Sequence, residues 1–275
     1  MQIFCINLDR SADRLAHIQS VFLGLGQEFT RISAVDGGLL AQSELEFYGA
    51  RAVHALTKGE IGCFLSHVAV WRQIAEGDAP FAVVFEDDVQ VSRHLSAFLN
   101  ELKPLTALPY GADLIKLETM GTRVTLGRKP LGAVAGTALH LLCSRHLGAA
   151  GYVMSRKAAL YWSQKAEKMT FPADYIFLND QLEFKTFQIV QTVPALVMQD
   201  HYYGVIGGAS DFGSMIDQMS AARKRNLLSV AAKIRRELGR GLRKFKTSVV
   251  WSVTMQWLRF RRLKVRFRMA DRLIV

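Results

Sequence analysis

The chain is predicted to be an α/β protein whose central sheet carries helices on both faces. Three observations predict this. The first 38 residues read as strand, helix, strand, which is a βαβ unit. Apolar β-branched runs then alternate with helical patterns along the body. Acidic residues and tight turns collect where those strands end, at the edge where ligands sit in sheets of this kind.

Residues 2–8 read as the first strand and stop at Asn7-Leu8-Asp9-Arg10. Ser11 is placed to cap a helix over 12–25, with Leu15, Ile18, Val21, Phe22 and Leu25 on one face. A second strand over 29–34 closes in Val35-Asp36-Gly37-Gly38. A helix over 60–75 starts near Thr57-Lys58-Gly59 and feeds a strand at 81–85. Further strands are expected at 113–117, 137–142 and 149–154, and within 184–193, with a helix starting at Ser155.

Phe81-Ala82-Val83-Val84-Phe85-Glu86-Asp87-Asp88-Val89 is the most informative stretch. A buried strand runs into three adjacent carboxylates, which repel one another unless a cation neutralises them. Side chains alternate along a strand, so Glu86 and Asp88 share a face and Asp87 points the other way. Two carboxylates at the lip of a sheet suit a hard divalent metal with positions left open for phosphate oxygens. The plainer reading is a strand running into a polar loop.

Half of the 275 residues are hydrophobic, ample for a core. No run approaches the roughly 18 apolar residues that span a membrane, and the N-terminal residues lack a signal pattern. Cys5, Cys63 and Cys143 have no metal spacing and read as reduced core cysteines of a cytosolic protein. The net charge of +11 is unevenly placed. Residues 223–275 hold 17 Lys/Arg against Glu237 and Asp271, a net of +15, whereas residues 1–222 carry a net of −4. A boundary is therefore expected near 220, with a body over 1–220 and a basic tail over 221–275. Apolar residues recur at helical spacing from Leu227 to Phe260, with Trp251 and Trp257 among them. A basic amphipathic helix of this kind suits an anionic membrane surface. A nucleic-acid arm has a similar composition, but no zinc or nucleic-acid motif accompanies it.

Five blocks, in order, resemble glycosyltransferase family 25, the lipopolysaccharide-type sugar transferases. They are Ile6-Asn7-Leu8-Asp9-Arg10 with Asp13-Arg14; Ala34-Val35-Asp36-Gly37; the run from Leu56 to His67 (LTKGEIGCFLSH); Val84-Phe85-Glu86-Asp87-Asp88-Val89; and the run from Gly151 to Ala159 (GYVMSRKAA) followed by Pro172-Ala173-Asp174. The likeness covers roughly residues 1–210. It implies a GT-A-like nucleotide-binding domain with a central mixed sheet, an inverting mechanism and a UDP-sugar donor, with galactose the usual sugar. The acidic triplet takes the place of the Asp-any-Asp motif, with Glu86 at its first position.

On this reading Asp88 ligates Mn²⁺ or another divalent cation, and Glu86 contacts the metal or the ribose. His201, after a strand-like run, is either a further ligand or a structural histidine. Asp174 is the candidate general base, Asp180 the runner-up, and the alternative for Asp174 is a helix cap. Asn7, Leu8 and Arg10 are expected against the nucleotide, with the Asp36-Gly37 turn at the uracil or ribose and Lys58 near the diphosphate. Arg10 and Arg14 read equally as a surface helix face, and His67 as a buried structural residue. The acceptor is expected to be a glycan or lipid-linked saccharide, met at the cytoplasmic face of the inner membrane, with no nucleic acid involved. The competing class is a metal-dependent phosphohydrolase or nuclease, which would leave the 56–67 block without a purpose.

Overall fold

The computed structural model describes residues 1–177, 187–205, 260–269 and 272–274. In chain order the elements are β1 (Gln2–Asn7), α1 (Ala12–Gly24), β2 (Thr30–Ser33), α2 (Gln42–Ala50), α3 (Lys58–Glu76), β3 (Phe81–Glu86), β4 (Val89–Val91) and α4 (His94–Leu102). Then come β5 (Leu114–Lys116), β6 (Arg123–Gly127), β7 (Gly132–Val134), β8 (Thr137–Leu141), β9 (Gly151–Ser155) and α5 (Arg156–Ala166). The last are β10 (Ile189–Val193), β11 (Val197–Gln199), α6 (Asp200–Val205), β12 (Phe260–Lys264), β13 (Phe267–Met269) and β14 (Arg272–Ile274).

Eight strands form one mixed sheet in the order β2-β1-β3-β9-β5-β10-β8-β7. β1 is parallel to β2 and β3, while β9 runs antiparallel between β3 and β5. Alternation along β3 splits the core in two. Ala82 and Val84 face a cluster built on Phe64, Trp71, Tyr152 and Trp162 from α3, β9 and α5. Phe81, Val83 and Phe85 face Ile18, Phe22, Phe98 and Leu99 from α1 and α4. Helices therefore cover both faces, as expected. The same alternation sends Glu86 toward α3 and Asp87 toward α1.

The start of α3 is held tightly. Thr57 Oγ1 accepts from Glu60 N at 3.2 Å, and Glu60 Oε2 accepts from Thr57 N at 2.6 Å, a reciprocal capping box. Gly37 and Gly62 let the backbones touch. A Cβ on Gly37 would lie 1.8 Å from the Lys58 carbonyl oxygen, and one on Gly62 would lie 2.6 Å from Gly37 N. Much of the 56–67 block thus serves to seat this helix on the turn after β2. Ser11 precedes α1 but makes no side-chain cap bond; its carbonyl accepts from Asn7 Nδ2 at 3.0 Å instead.

The expected helical tail is corrected where it is described. Residues 260–264 form a strand, antiparallel to β6. The reason lies in period-two patterning: Val265 and Phe267 are fully buried and Leu263 is half-buried, while Arg262, Lys264 and Arg266 are exposed. Thr119 Oγ1 donates to Val265 O at 2.9 Å, and Ala195 N to Arg266 O at 2.7 Å. A division at 220 would cut this strand from the body. The expected helix over 227–259 lies outside the described residues. Among the described residues no helix is long and apolar enough to cross a membrane. Cys5 and Cys143 are buried, Cys63 is half-buried, and all three are free thiols.

Phe267→Ala is expected to lower stability by about 3–5 kcal/mol, read from urea unfolding. A change under about 1 kcal/mol would mean that this strand does not complete the core.

Candidate active site

The site gathers at the carboxyl end of β3. Asp87 is buried and held from the α1 side. It accepts from Asn7 Nδ2 at 2.6 Å and from Arg14 Nη1 at 3.3 Å. Asn7 is itself held by Arg31, whose Nε donates to Asn7 Oδ1 at 2.9 Å. Asp87, which strand alternation turns away from Glu86, is thus a structural hydrogen-bonding partner. Arg14 is not a surface residue, because it also reaches Asp88 Oδ2 at 3.8 Å.

Glu86 meets α3. With His67 neutral, one proton assignment gives every donor an acceptor. Trp71 Nε1–H donates to the Tyr152 hydroxyl at 2.8 Å, that hydroxyl donates to His67 Nδ1 at 2.9 Å, and His67 Nε2–H donates to Glu86 Oε1 at 3.0 Å. Gln199 Nε2 donates to Glu86 Oε2 at 3.2 Å. Burial pushes the His67 imidazole down to about 4, which keeps it neutral despite the charges of Asp174 and Glu118. His67 is the buried structural residue the sequence indicates, and its partner is the acidic motif itself.

The carboxyls carry an electrostatic conflict. Burial first, then the charges of Asp87 and Asp174, raises Glu86 to about 7. Burial first, then Glu86 and Asp87, raises Asp88 to about 8. Asp88 Oδ1 is buried without a hydrogen-bond partner. A divalent cation would offset both charges, and carboxylate oxygens are the donors such an ion takes.

His201 stands one residue after Asp200, whose N–H donates to Asp88 O at 2.7 Å. The pairing of β11 with β4 therefore carries His201 to the triplet. The ligand atoms of Glu86, Asp88 and His201 are not gathered into one close set. Among the described residues the three metal-type ligands within 4.8 Å of one another are Cys63, His67 and Glu86. The neutral, fully bonded His67 assigns that group to holding Glu86.

Asp174 lies in a short 3₁₀ turn, Ala173–Phe177, near enough for its charge to act on Glu86. Its Oδ2 accepts from Gly148 N at 3.1 Å, and its Oδ1 is buried without a partner. Gly148 O in turn accepts from Lys116 Nζ, which also donates to Glu118 Oε2 at 3.2 Å and sits 4.3 Å from the centre of the Phe177 ring. Gly148 has φ +90°, and a Cβ there would meet Glu118 Oε1 at 2.4 Å, so only glycine fits. Lys116 and Glu118 were not anticipated from the sequence. Their signal is a cation and an anion two apart in the strand-like run Leu114-Ile115-Lys116-Leu117-Glu118, hence on one face. Asp180, the runner-up base, lies outside the described residues.

The residues expected at the nucleotide lie after β1 and β2 and at the start of α3. Arg10 and Asp36 pair with each other, and Asp36 Oδ1 accepts from Gly38 N at 2.9 Å. Leu8 is half-buried in the turn after β1. Lys58 is exposed at the first position of α3, against Gly37. Asn7 differs from the rest, since its side chain is committed to Ser11, Asp87 and Arg31.

Tyr152→Phe is expected to cost about 1–3 kcal/mol, because it strands the Trp71 N–H in the core. Denaturant unfolding measures this. An unchanged stability would mean that the chain from Trp71 to Glu86 is not formed.

Comparison with known proteins identifies the family. The chain is 31% identical over 226 residues to the lacto-N-neotetraose biosynthesis glycosyltransferase LgtB of Neisseria meningitidis, covering 79% of this chain and 82% of the relative. It is 31% identical over 257 residues to LgtE of the same species, covering 87% and 90%. The lipooligosaccharide biosynthesis protein lic2B of Haemophilus influenzae is 29% identical over 202 residues, covering 72% and 75%. Among solved structures, the inositol-1-phosphate CTP transferase from T. maritima matches 83% of this chain and 98% of its own at TM-score 0.40 and 10% identity, a level from which nothing about activity follows. The family model of glycosyltransferase family 25 (LPS biosynthesis protein) matches residues 1–177. These matches displace the phosphohydrolase or nuclease alternative: the chain belongs to glycosyltransferase family 25 and is a sugar-transferring enzyme.

Proposed function

We propose that this enzyme transfers a sugar, galactose being the first candidate, from a UDP-sugar to a glycan or lipid-linked acceptor of the lipooligosaccharide kind, with inversion at the anomeric carbon. The observation that carries the reading is the buried Asp88 beside the half-buried Glu86, only partly balanced by Arg14 and Lys116, with the charge of Asp174 acting on Glu86, in a family 25 chain. The names of the relatives support the acceptor class.

Each residue has a task in that chemistry. Asp174 receives the proton of the acceptor hydroxyl as that oxygen attacks the anomeric carbon. Its partnerless Oδ1 supplies the basic oxygen, while Gly148 N–H fixes the other. The bond from the sugar to the diphosphate breaks on the opposite side, and negative charge grows on the leaving oxygen. A divalent cation such as Mn²⁺, held by Asp88 and Glu86 with His201 within reach of the same strand end, would offset that charge. Lys58 adds a positive charge at the start of α3, where backbone N–H groups also favour phosphate. Arg10, Asp36, Gly37 and Leu8 border the nucleoside, and Asn7 holds the floor beneath it.

The basic residues of 223–275 would keep the enzyme on an anionic membrane surface, peripherally and at the cytoplasmic face, where a lipid-linked acceptor is met. Their net charge of +15 supports this.

A screen of nucleotide-sugars with Mn²⁺, reading release of free nucleotide, tests the donor class. Asp88→Ala is expected to remain folded and to lose metal-dependent turnover; full activity would remove Asp88 from the site. Asp174→Asn is expected to bind donor normally and to lose about two to four orders of magnitude in transfer. An equal loss of donor affinity would make Asp174 a donor-site residue. A selective loss in Asp180→Asn would transfer the base role there.

A further inference from the structure

β12 and β6 carry a cation arrangement that the transfer chemistry does not use. Arg262, Lys264 and Arg266 lie two apart, so they project to one side at a spacing of roughly 6.6–7 Å, while Val265 and Phe267 are buried on the other. Lys264 is directly opposite Arg123 across the antiparallel ladder. Like charges in that position destabilise a strand pair. Among the described residues none of the four has an ion-pair partner. The four line a cleft of about 550 Å³ whose wall includes Val193 and Pro194. A row of exposed arginines and a lysine around an apolar-walled cleft is matched by anions with several oxygens, which guanidinium groups grip in pairs.

We propose that this cleft binds the phosphate groups of membrane lipid headgroups. The inference rests on reading the basic tail as membrane-facing, and narrows it to a folded surface on the body rather than a detached helix. It does not depend on the transfer mechanism. The side chains that meet the lipid stand on β12 and the residues just after it, a segment anchored in the core by Val265 and Phe267, so the bilayer would hold the catalytic body in a set orientation. The opposed pair of Lys264 and Arg123 is the part that a bound phosphate stabilises most.

The test uses the full-length protein and vesicles of phosphatidylcholine with or without phosphatidylglycerol, in a co-sedimentation assay. The variant with Arg262→Gln, Lys264→Gln and Arg266→Gln keeps the alternation of β12 and its buried residues. It should bind phosphatidylglycerol vesicles on the order of a hundredfold more weakly, at about one factor of five per charge. Arg123→Gln, which removes the cation opposite Lys264, should bind these vesicles more weakly and yet unfold at a higher temperature in their absence. Inorganic phosphate should displace the vesicles more effectively than chloride at equal ionic strength. If the unmodified protein ignores phosphatidylglycerol, the membrane reading itself fails and this one with it. If it binds but the triple variant binds equally well, the membrane reading stands and the cleft is not the site. Capture of inorganic phosphate without vesicle binding, or displacement of the vesicles by duplex DNA at lower concentration than by phosphate, would also overturn the proposal. Should the triple variant fail to fold, Arg123→Gln alone decides, since equal vesicle binding by that variant contradicts the assignment.

Discussion

Three carboxyl groups at the end of β3 must share a space that excludes most water, and much of the surrounding structure answers that constraint. Asp87 is tied off by Asn7 and Arg14, and Glu86 by His67 and Gln199. Asp88 keeps a buried oxygen without a partner. Burying carboxylates without a full counter-charge raises their affinity for protons, and Glu86 and Asp88 rise to about 7 and about 8. A site of this kind holds electrostatic strain in the free protein that a bound cation relieves. The strain is affordable only because two hydrophobic clusters, one on each face of the sheet, fix the strand that carries it.

The same logic explains residues that seem remote from the chemistry. Gly37 and Gly62 bring α3 close enough for His67 to reach Glu86. Tyr152 and Trp71 complete the hydrogen bonds of His67, so the imidazole stays neutral and oriented. Around Asp174, Lys116 and Glu118 brace the Gly148 peptide, whose N–H holds that aspartate. Two hydrogen-bond networks thus fix Glu86 and Asp174. That division suits a reaction in which donor and acceptor are held independently.

Most of the sheet was legible in the sequence because its strands are short apolar runs that end in turns. β1, β2, β3, β8 and β9 fall within a few residues of expectation, and so do α1, α3 and α5. The directions of Glu86 and Asp87 followed from alternation alone. α2 was missed because it buries no residue and so has no apolar stripe to read. β11 matches the strand-like run before His201, whereas β4 was missed because it has three residues and exists through pairing with β11, which is a tertiary fact. Around 260 the helical spacing of apolar residues hid a period-two pattern in Leu263, Val265 and Phe267 that the fold uses. The partners of Glu86 were legible only as a block around His67, since reading a contact between α3 and β3 requires knowing how the helix sits. Lys116 and Glu118 were not anticipated, and their link to Asp174 runs through Gly148, 32 residues from Lys116 in the chain.

The central claim is that Glu86 and Asp88 are held in mutual conflict for a cation to resolve. Thermal unfolding of the protein and of a variant carrying both Glu86→Gln and Asp88→Asn, each with and without Mn²⁺ and UDP, tests it most directly. The account predicts that the variant melts at or above the unmodified protein without metal, because a buried repulsion is gone, and that Mn²⁺ with UDP raises the melting temperature of the unmodified protein alone. A variant that melts well below the unmodified protein, together with no response of the unmodified protein to Mn²⁺ and UDP, would contradict it.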